Sequence, residues 1–66
     1  MKVGDLVKVN VFSDFTRNVL HVNSIPYDAI GIIIREKRDV CRVYFLEKNK
    51  TRRLMKKDLI VISEAP

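Results

Sequence analysis

Residues 29–46 read AIGIIIREKRDVCRVYFL, and this stretch is the strongest indication of the fold. An isoleucine-rich run is followed by a charged turn at 36–39, and then by a second run that alternates apolar and polar residues. Alternation with a period of two, in β-branched and aromatic residues, is typical of a half-buried strand. The two runs therefore predict an antiparallel hairpin, and Gly31 inside the first run predicts a bulge or a bend.

The same pattern extends outward in both directions along the chain. Val7, Val9 and Val11 alternate with Lys8 and Asn10, which predicts a first strand after a Gly-Asp turn. Downstream, short polar turns precede two further runs at 51–55 and 59–62, the second turn having 3₁₀ character. Five short strands without a helix predict an all-β meander, and closure into a small barrel would remove the exposed sheet edges.

The connection at 12–28 is long for such a small domain, and it mixes aromatic residues with turn formers. Long connections in compact domains are usually functional, and we expect a long loop here with a protruding hairpin tip around 17–24. A single domain is predicted over residues 1–62, with a frayed tail at 63–66.

The net charge of +5 is concentrated in one third of the chain. Residues 35–57 hold ten basic and three acidic residues, whereas the segment before them is balanced. No apolar run approaches the roughly 20 residues that span a membrane, and no signal peptide is apparent. We therefore expect a cytoplasmic protein without a membrane partner. The single cysteine, Cys41, excludes an internal disulfide and lies in an apolar run typical of a buried side chain.

Four pieces of the chain together resemble the SH3-like barrel superfamily. They are KVGDLVKV at 2–9, AIGIII at 29–34, CRVYFL at 41–46 and KKDLIVI at 56–62. The resemblance covers nearly the whole chain except residues 12–28, and it implies a small five-stranded SH3-like barrel with a long loop between strands 1 and 2. Short degenerate pieces of this kind are specific for a fold and weak for a function.

The resemblance implies several functional settings. Small stand-alone proteins of tailed bacteriophages share this shape, and so do small subunits that dock on larger complexes. More distantly, the chain is similar to KOW-type modules that bind nucleic acid. It departs from the KOW pattern because Ile25-Pro26-Tyr27-Asp28 stands where a glycine-rich stretch is usual. That departure favours a phage-encoded accessory or virion component over the KOW-like alternative.

No set of residues in the sequence is typical of an active site. His21 is the only histidine, and no nucleophile motif, phosphate-cradling glycine loop or pair of metal-binding histidines is present. We therefore expect a protein that is not an enzyme, with no catalytic residues, no cofactor, no metal and no small-molecule substrate.

Two surfaces are candidate binding sites. The first is a protein-docking loop made of the apolar residues Phe12, Phe15, Leu20 and Tyr27, and we expect it to dock on a larger protein assembly or on a second copy of the chain. The second is a basic surface made of Arg35, Lys37, Arg38, Arg42, Lys48, Lys50, Arg52 and Arg53.

Docking is the predicted function, and nucleic-acid binding by the basic surface is the alternative. For the alternative, Arg42 shares an outer face with either Arg52 or Arg53, and Tyr44 is the candidate for stacking on bases.

Overall fold

Alternating side chains build five β-strands in the computed structural model, which describes residues 1–10, 14–22, 24–26 and 28–66. The strands are β1 (Leu6–Val9), β2 (Ile30–Lys37), β3 (Val40–Phe45), β4 (Lys50–Met55) and β5 (Leu59–Ser63). All neighbouring strands are antiparallel, and their order in the sheet is β4-β3-β2-β1-β5. The prediction of an all-β fold with five strands is confirmed.

The sheet is open, so the predicted closure into a barrel is not confirmed. β4 and β5 lie at opposite edges, and the 3₁₀ helix Lys56–Asp58 connects them. The amide of Lys56 donates to the carbonyl oxygen of Asp39 at 2.7 Å, and the amide of Asn10 donates to that of Asp58 at 2.7 Å. These hydrogen bonds attach the 3₁₀ helix to the β2–β3 turn at one end and to the end of β1 at the other.

The long connection contains a helix, α1 (Asp14–Val22), where the sequence predicted a loop with a hairpin tip. That prediction was wrong. The end of α1 is a Schellman motif: Ile25 N–H donates to Leu20 O at 2.8 Å and Ser24 N–H to His21 O at 3.1 Å, with Ser24 at φ 56°. This end position usually carries glycine, and the serine here concealed the helix terminus. Leu20 and Ile25 are both buried, which is the apolar contact that accompanies the motif.

The core lies against one face of the sheet and beneath α1. Phe45, Leu20, Ile33, Val7, Val43 and Cys41 are the largest fully buried apolar side chains. Cys41 is a free thiol inside this core, as its apolar surroundings predicted. A nine-residue helix has little stability alone, so the burial of Leu20 explains why α1 forms here.

The bulge in β2 does not lie at Gly31. Gly31 pairs regularly with Phe45, and a methyl group added there would overlap Val43 Cγ1. The register instead shifts between Ile33 and Arg35, so Ile34 is the extra residue. In a regular strand Arg35 would share the core-facing side of Ile33, and the extra residue turns Arg35 to the outer face.

A buried carboxylate attaches both ends of the chain to the sheet. Asp5 is 1% exposed, and it accepts hydrogen bonds from Lys2 N–H at 2.9 Å and from Ala65 N–H at 2.7 Å. The hydrogen bond from Ala65 is the main cause that holds the pKa of Asp5 below its ordinary value, and desolvation opposes it. Residue 65 belongs to the tail that the sequence predicts to be frayed, and this bond connects it to the entrance of β1.

The exchange Asp5→Asn should destabilise the protein in a pH-dependent way. Asparagine replaces one acceptor oxygen by an NH₂ group that would face a backbone donor. Because the folded-state pKa is lowered, the stabilisation by Asp5 is present above its ordinary pKa of about 3.8 and is lost as the pH falls through the lower folded-state value. We expect thermal melts at pH 7 to show a loss of about 5 °C or more.

The difference in melting temperature between wild type and Asp5→Asn should shrink as the pH is lowered towards about 2. Glu64→Gln is the matched control because it removes an exposed carboxylate beside Ala65, and it should leave the melting temperature almost unchanged. A pH-independent difference for Asp5→Asn would contradict the role of the ionised carboxylate.

Candidate functional site

Three arginines form a cross-strand row on the outer face of β2, β3 and β4. Arg35 is the Cα partner of Arg42, and Arg42 is the Cα partner of Arg53. All three side chains are exposed, while Cys41, Val43 and Leu54 beside them are buried. We call Arg35, Arg42 and Arg53 the arginine row. The Ile34 bulge brings Arg35 into it.

The positive charge of the arginine row is not compensated within the described part of the chain, where no carboxylate forms an ion pair with any of the three. The nearby Glu36 pairs with Lys56 at 3.3 Å. Like charges directly opposite each other in neighbouring strands destabilise a sheet. A negatively charged ligand would remove this repulsion, so the arrangement favours the binding of an anion.

A second row lies beside the first, nearer the β2–β3 turn. Lys37 is the partner of Val40, and Val40 is the partner of Met55. The two rows and the turn residues enclose a groove of about 550 Å³. Its lining contains five basic residues, one acidic residue and two apolar ones: Arg35, Lys37, Arg38, Arg42, Arg53, Asp39, Val40 and Met55.

Arg38 occupies a backbone conformation that disfavours its side chain. The β2–β3 turn has two residues between the paired Lys37 and Val40, and Arg38 has φ 50°. Turns of this length favour glycine, asparagine or aspartate at positive φ, because a larger side chain is strained in the left-handed region. An arginine at this position places a further cation at the groove at some cost in stability.

On the other side of the arginine row lies a row of half-buried residues. Ile32, Tyr44 and Thr51 are cross-strand partners there. The hydroxyl of Tyr44 donates a hydrogen bond to Asn49 Oδ1, and Asn49 suits its φ of 52° in the β3–β4 turn. The phenol ring of Tyr44 therefore lies on the same face as the arginine row.

The structure divides the predicted basic surface into five residues at the groove and three residues away from it. Arg35, Lys37, Arg38, Arg42 and Arg53 come together at the groove. Lys48 is exposed in the β3–β4 turn, at the other end of β3. Lys50 and Arg52 pair with the buried residues Phe45 and Val43, so they point to the opposite side of β4. Arg52 also donates from Nη1 to Thr51 O at 2.6 Å. The partner of Arg42 in the row is thus Arg53.

The predicted docking loop is only partly described. Leu20 is fully buried in the core, so it cannot serve as the exposed docking residue that the sequence predicted. Phe12 and Tyr27, together with the side chain of Phe15, lie outside the described residues.

Groups that could support other chemistry lie apart from the groove. His21 is exposed on α1, and burial raises the pKa of the Cys41 thiol, which disfavours the reactive thiolate. Within the described ranges, no three His, Cys, Asp or Glu side chains form a cluster that could hold a metal ion. Over the same ranges, no helix has the length and apolar character needed to cross a membrane.

Asp39, Val40 and Met55 line the groove but were not predicted from the sequence, and neither was the bulge at Ile34. Val40 and Met55 appear in the sequence as ordinary strand residues, and only the register between β3 and β4 places them side by side. A signal for Ile34 was present, since six apolar or glycine residues in a row leave the alternation ambiguous just before Arg35.

The exchange Arg38→Asn should separate stability from binding. Asparagine tolerates the left-handed backbone better than arginine, so we expect an unchanged or higher melting temperature. It also removes one cation from the groove, so affinity for a polyanion such as heparin should fall. Retention on a heparin column and a thermal melt measure the two effects. A variant that melts lower while eluting at the same salt concentration would contradict both parts.

Neither a protein-family model, nor a curated protein, nor a solved structure matches this chain. The function is therefore inferred from the geometry of the groove and the arginine row.

Proposed function

We propose that this protein is a non-enzymatic module that binds nucleic acid through the arginine row and its groove. The observation that carries the proposal is the uncompensated row of Arg35, Arg42 and Arg53 on one exposed face. From the sequence alone, protein docking is the predicted function and nucleic-acid binding the alternative. The burial of Leu20 weakens the docking loop, and the arginine row strengthens the alternative.

Arginine suits phosphate recognition for a geometric reason. Its planar guanidinium group offers paired N–H donors that match two phosphate oxygens, and it stays charged at all physiological pH values. Neighbouring strands are about 4.8 Å apart, so the row presents three such groups over roughly 10 Å. Nucleic-acid backbones repeat their charges on a comparable scale, and counterions released from them drive the association.

The proposal includes an SH3-like barrel fold for the domain. The strand order β4-β3-β2-β1-β5 and the 3₁₀ turn directly before β5 support it, as does the Asp-Leu step at 58–59. In this proposal the outer face of β2, β3 and β4 is the binding platform, and the module acts in the manner of KOW-like domains.

A specific observation favours protein docking as a second candidate. On the outer face of β5, β1 and β2, Ile60 and Ile30 flank Lys8 in one cross-strand row, and the two isoleucines are 41% and 44% exposed. This surface fits a protein with an apolar patch and a carboxylate opposite Lys8. A larger assembly of the phage or virion type, as the sequence analysis predicted, is a partner of this kind.

The main proposal predicts salt-dependent binding that needs the arginine row. We expect fluorescence anisotropy with labelled oligonucleotides to show affinity falling with salt, with a log–log slope of about −0.7 to −0.9 per phosphate contacted. Replacing Arg35, Arg42 and Arg53 by glutamine should weaken binding at least about tenfold, because a hydrogen bond to a charged group contributes roughly 1.5–3 kcal/mol. The slope should become shallower by about two to three.

Replacing Lys2, Arg17 and Lys48 by glutamine is the matched control. It removes the same net charge from three exposed residues that do not line the groove. Equal loss of affinity in both triple variants would show that only net charge matters and would overturn the proposed site. A melt of each variant verifies that it is folded.

The second candidate predicts a specific cross-link at Lys8. Amine-to-carboxylate cross-linking in a lysate of the source cells should join Lys8 to an acidic residue of one reproducible partner. Ile60→Glu should abolish this cross-link, because it places a carboxylate beside Lys8 and charges the apolar row. The same partner recovered with the variant, or no Lys8 cross-link in wild type, would remove this candidate.

A further inference from the structure

We propose that the groove beside the arginine row takes an unpaired base, so that the ligand of this face is single-stranded nucleic acid. This inference rests on the proposed function and names the substrate class of the same site. In this arrangement the arginines bind phosphates, and the Val40 and Met55 side chains contact the base.

The groove combines apolar side chains with basic ones. Val40 is half-buried and Met55 is 38% exposed, and both lie among five cations. A site for phosphates alone gains nothing from apolar side chains. Sites for single strands combine a positively charged groove with flat or apolar surfaces for the bases, and arginine planes can also stack on them. The phenol ring of Tyr44 lies on the other side of the row, next to Arg42.

The carboxylate of Asp39 favours a base over a phosphate as the occupant of the groove. Asp39 is exposed and lines the groove among the basic residues. A carboxylate repels a phosphate backbone, so it would weaken a site that binds only phosphates. Carboxylates accept hydrogen bonds from the exocyclic amino groups of bases. In a single strand the pairing edge of the base is free, so Asp39 has a favourable partner there.

The shape of the face favours a single strand over a duplex. Duplex base edges are reached by a helix or a two-stranded ribbon that enters the major groove. The arginine row instead spans three neighbouring strands of a sheet. A duplex placed on it would contact the arginines through phosphates only and would leave Val40 and Met55 uncovered. A groove of about 550 Å³ lies within the range of roughly 300–1,000 Å³ that small ligands occupy, so it has room for a nucleotide-sized group.

The test compares one mixed 20-nucleotide sequence as a DNA strand, as an RNA strand and as the DNA duplex, by anisotropy at two salt concentrations. We expect at least one of the strands to bind about tenfold more tightly than the duplex, since stacking of a base adds to the phosphate contacts. The DNA and RNA arms identify the natural kind of strand.

Met55→Gln tests the base contact directly. Because Met55 is partly exposed, the exchange should keep the fold and weaken strand binding about fivefold, with the duplex affinity and the salt slope unchanged. Leu46→Gln is the control, since Leu46 is 56% exposed and does not line the groove. It should affect neither ligand.

The possible outcomes distinguish the inference from the function on which it rests. Equal or tighter binding of the duplex, abolished by glutamine at the arginine row, would overturn the inference and retain the proposed function. A strand preference that Met55→Gln leaves unchanged would overturn the base contact in the groove. No salt-dependent binding of any of the three ligands would overturn the proposed function itself.

Discussion

One extra residue in β2 is the constraint on which the proposed site depends. Ile33 faces the core, and a regular strand would point Arg35 to the same side. The bulge at Ile34 turns Arg35 outward, opposite Arg42. Bulges commonly redirect a side chain in this way next to functional sites. The arginine row therefore exists because the pairing of β2 with β3 slips by one residue between the core and the turn.

The face that carries the arginine row is supported by buried apolar side chains on the other side of the same strands. The inner sides of β2, β3 and β4 bury Ile33, Cys41, Val43, Phe45 and Leu54. This burial offsets the repulsion between the three guanidinium groups and the strained backbone of Arg38. The Asp5 carboxylate, which does not line the groove, secures the chain ends. Asp5 can therefore be exchanged without removing a residue that lines the groove.

Hydrophobic alternation predicted the five strands and their turns because the period of two is a local property of the chain. It did not predict α1. The helix is short, its end carries Ser24 where glycine is usual, and its stability comes from burying Leu20 under the sheet. Leu20, which was assigned to the docking loop from the sequence, is buried for the same reason, since burial is decided by packing with residues distant in sequence. Gly31 indicated an irregularity in β2, and the bulge lies three residues further on.

Local sequence pattern is enough to predict an all-β chain of five strands with a buried cysteine, and a net basic character concentrated in residues 35–57. Those properties follow from composition and from spacing along a strand. Which cations share a face depends instead on how the strands pair. The register of three strands groups Arg35, Arg42 and Arg53 with Val40 and Met55, and it turns Lys50 and Arg52 to the other side. Register is a relation between segments, and a slip of one residue exchanges the two faces of a strand, so the sequence alone left it open.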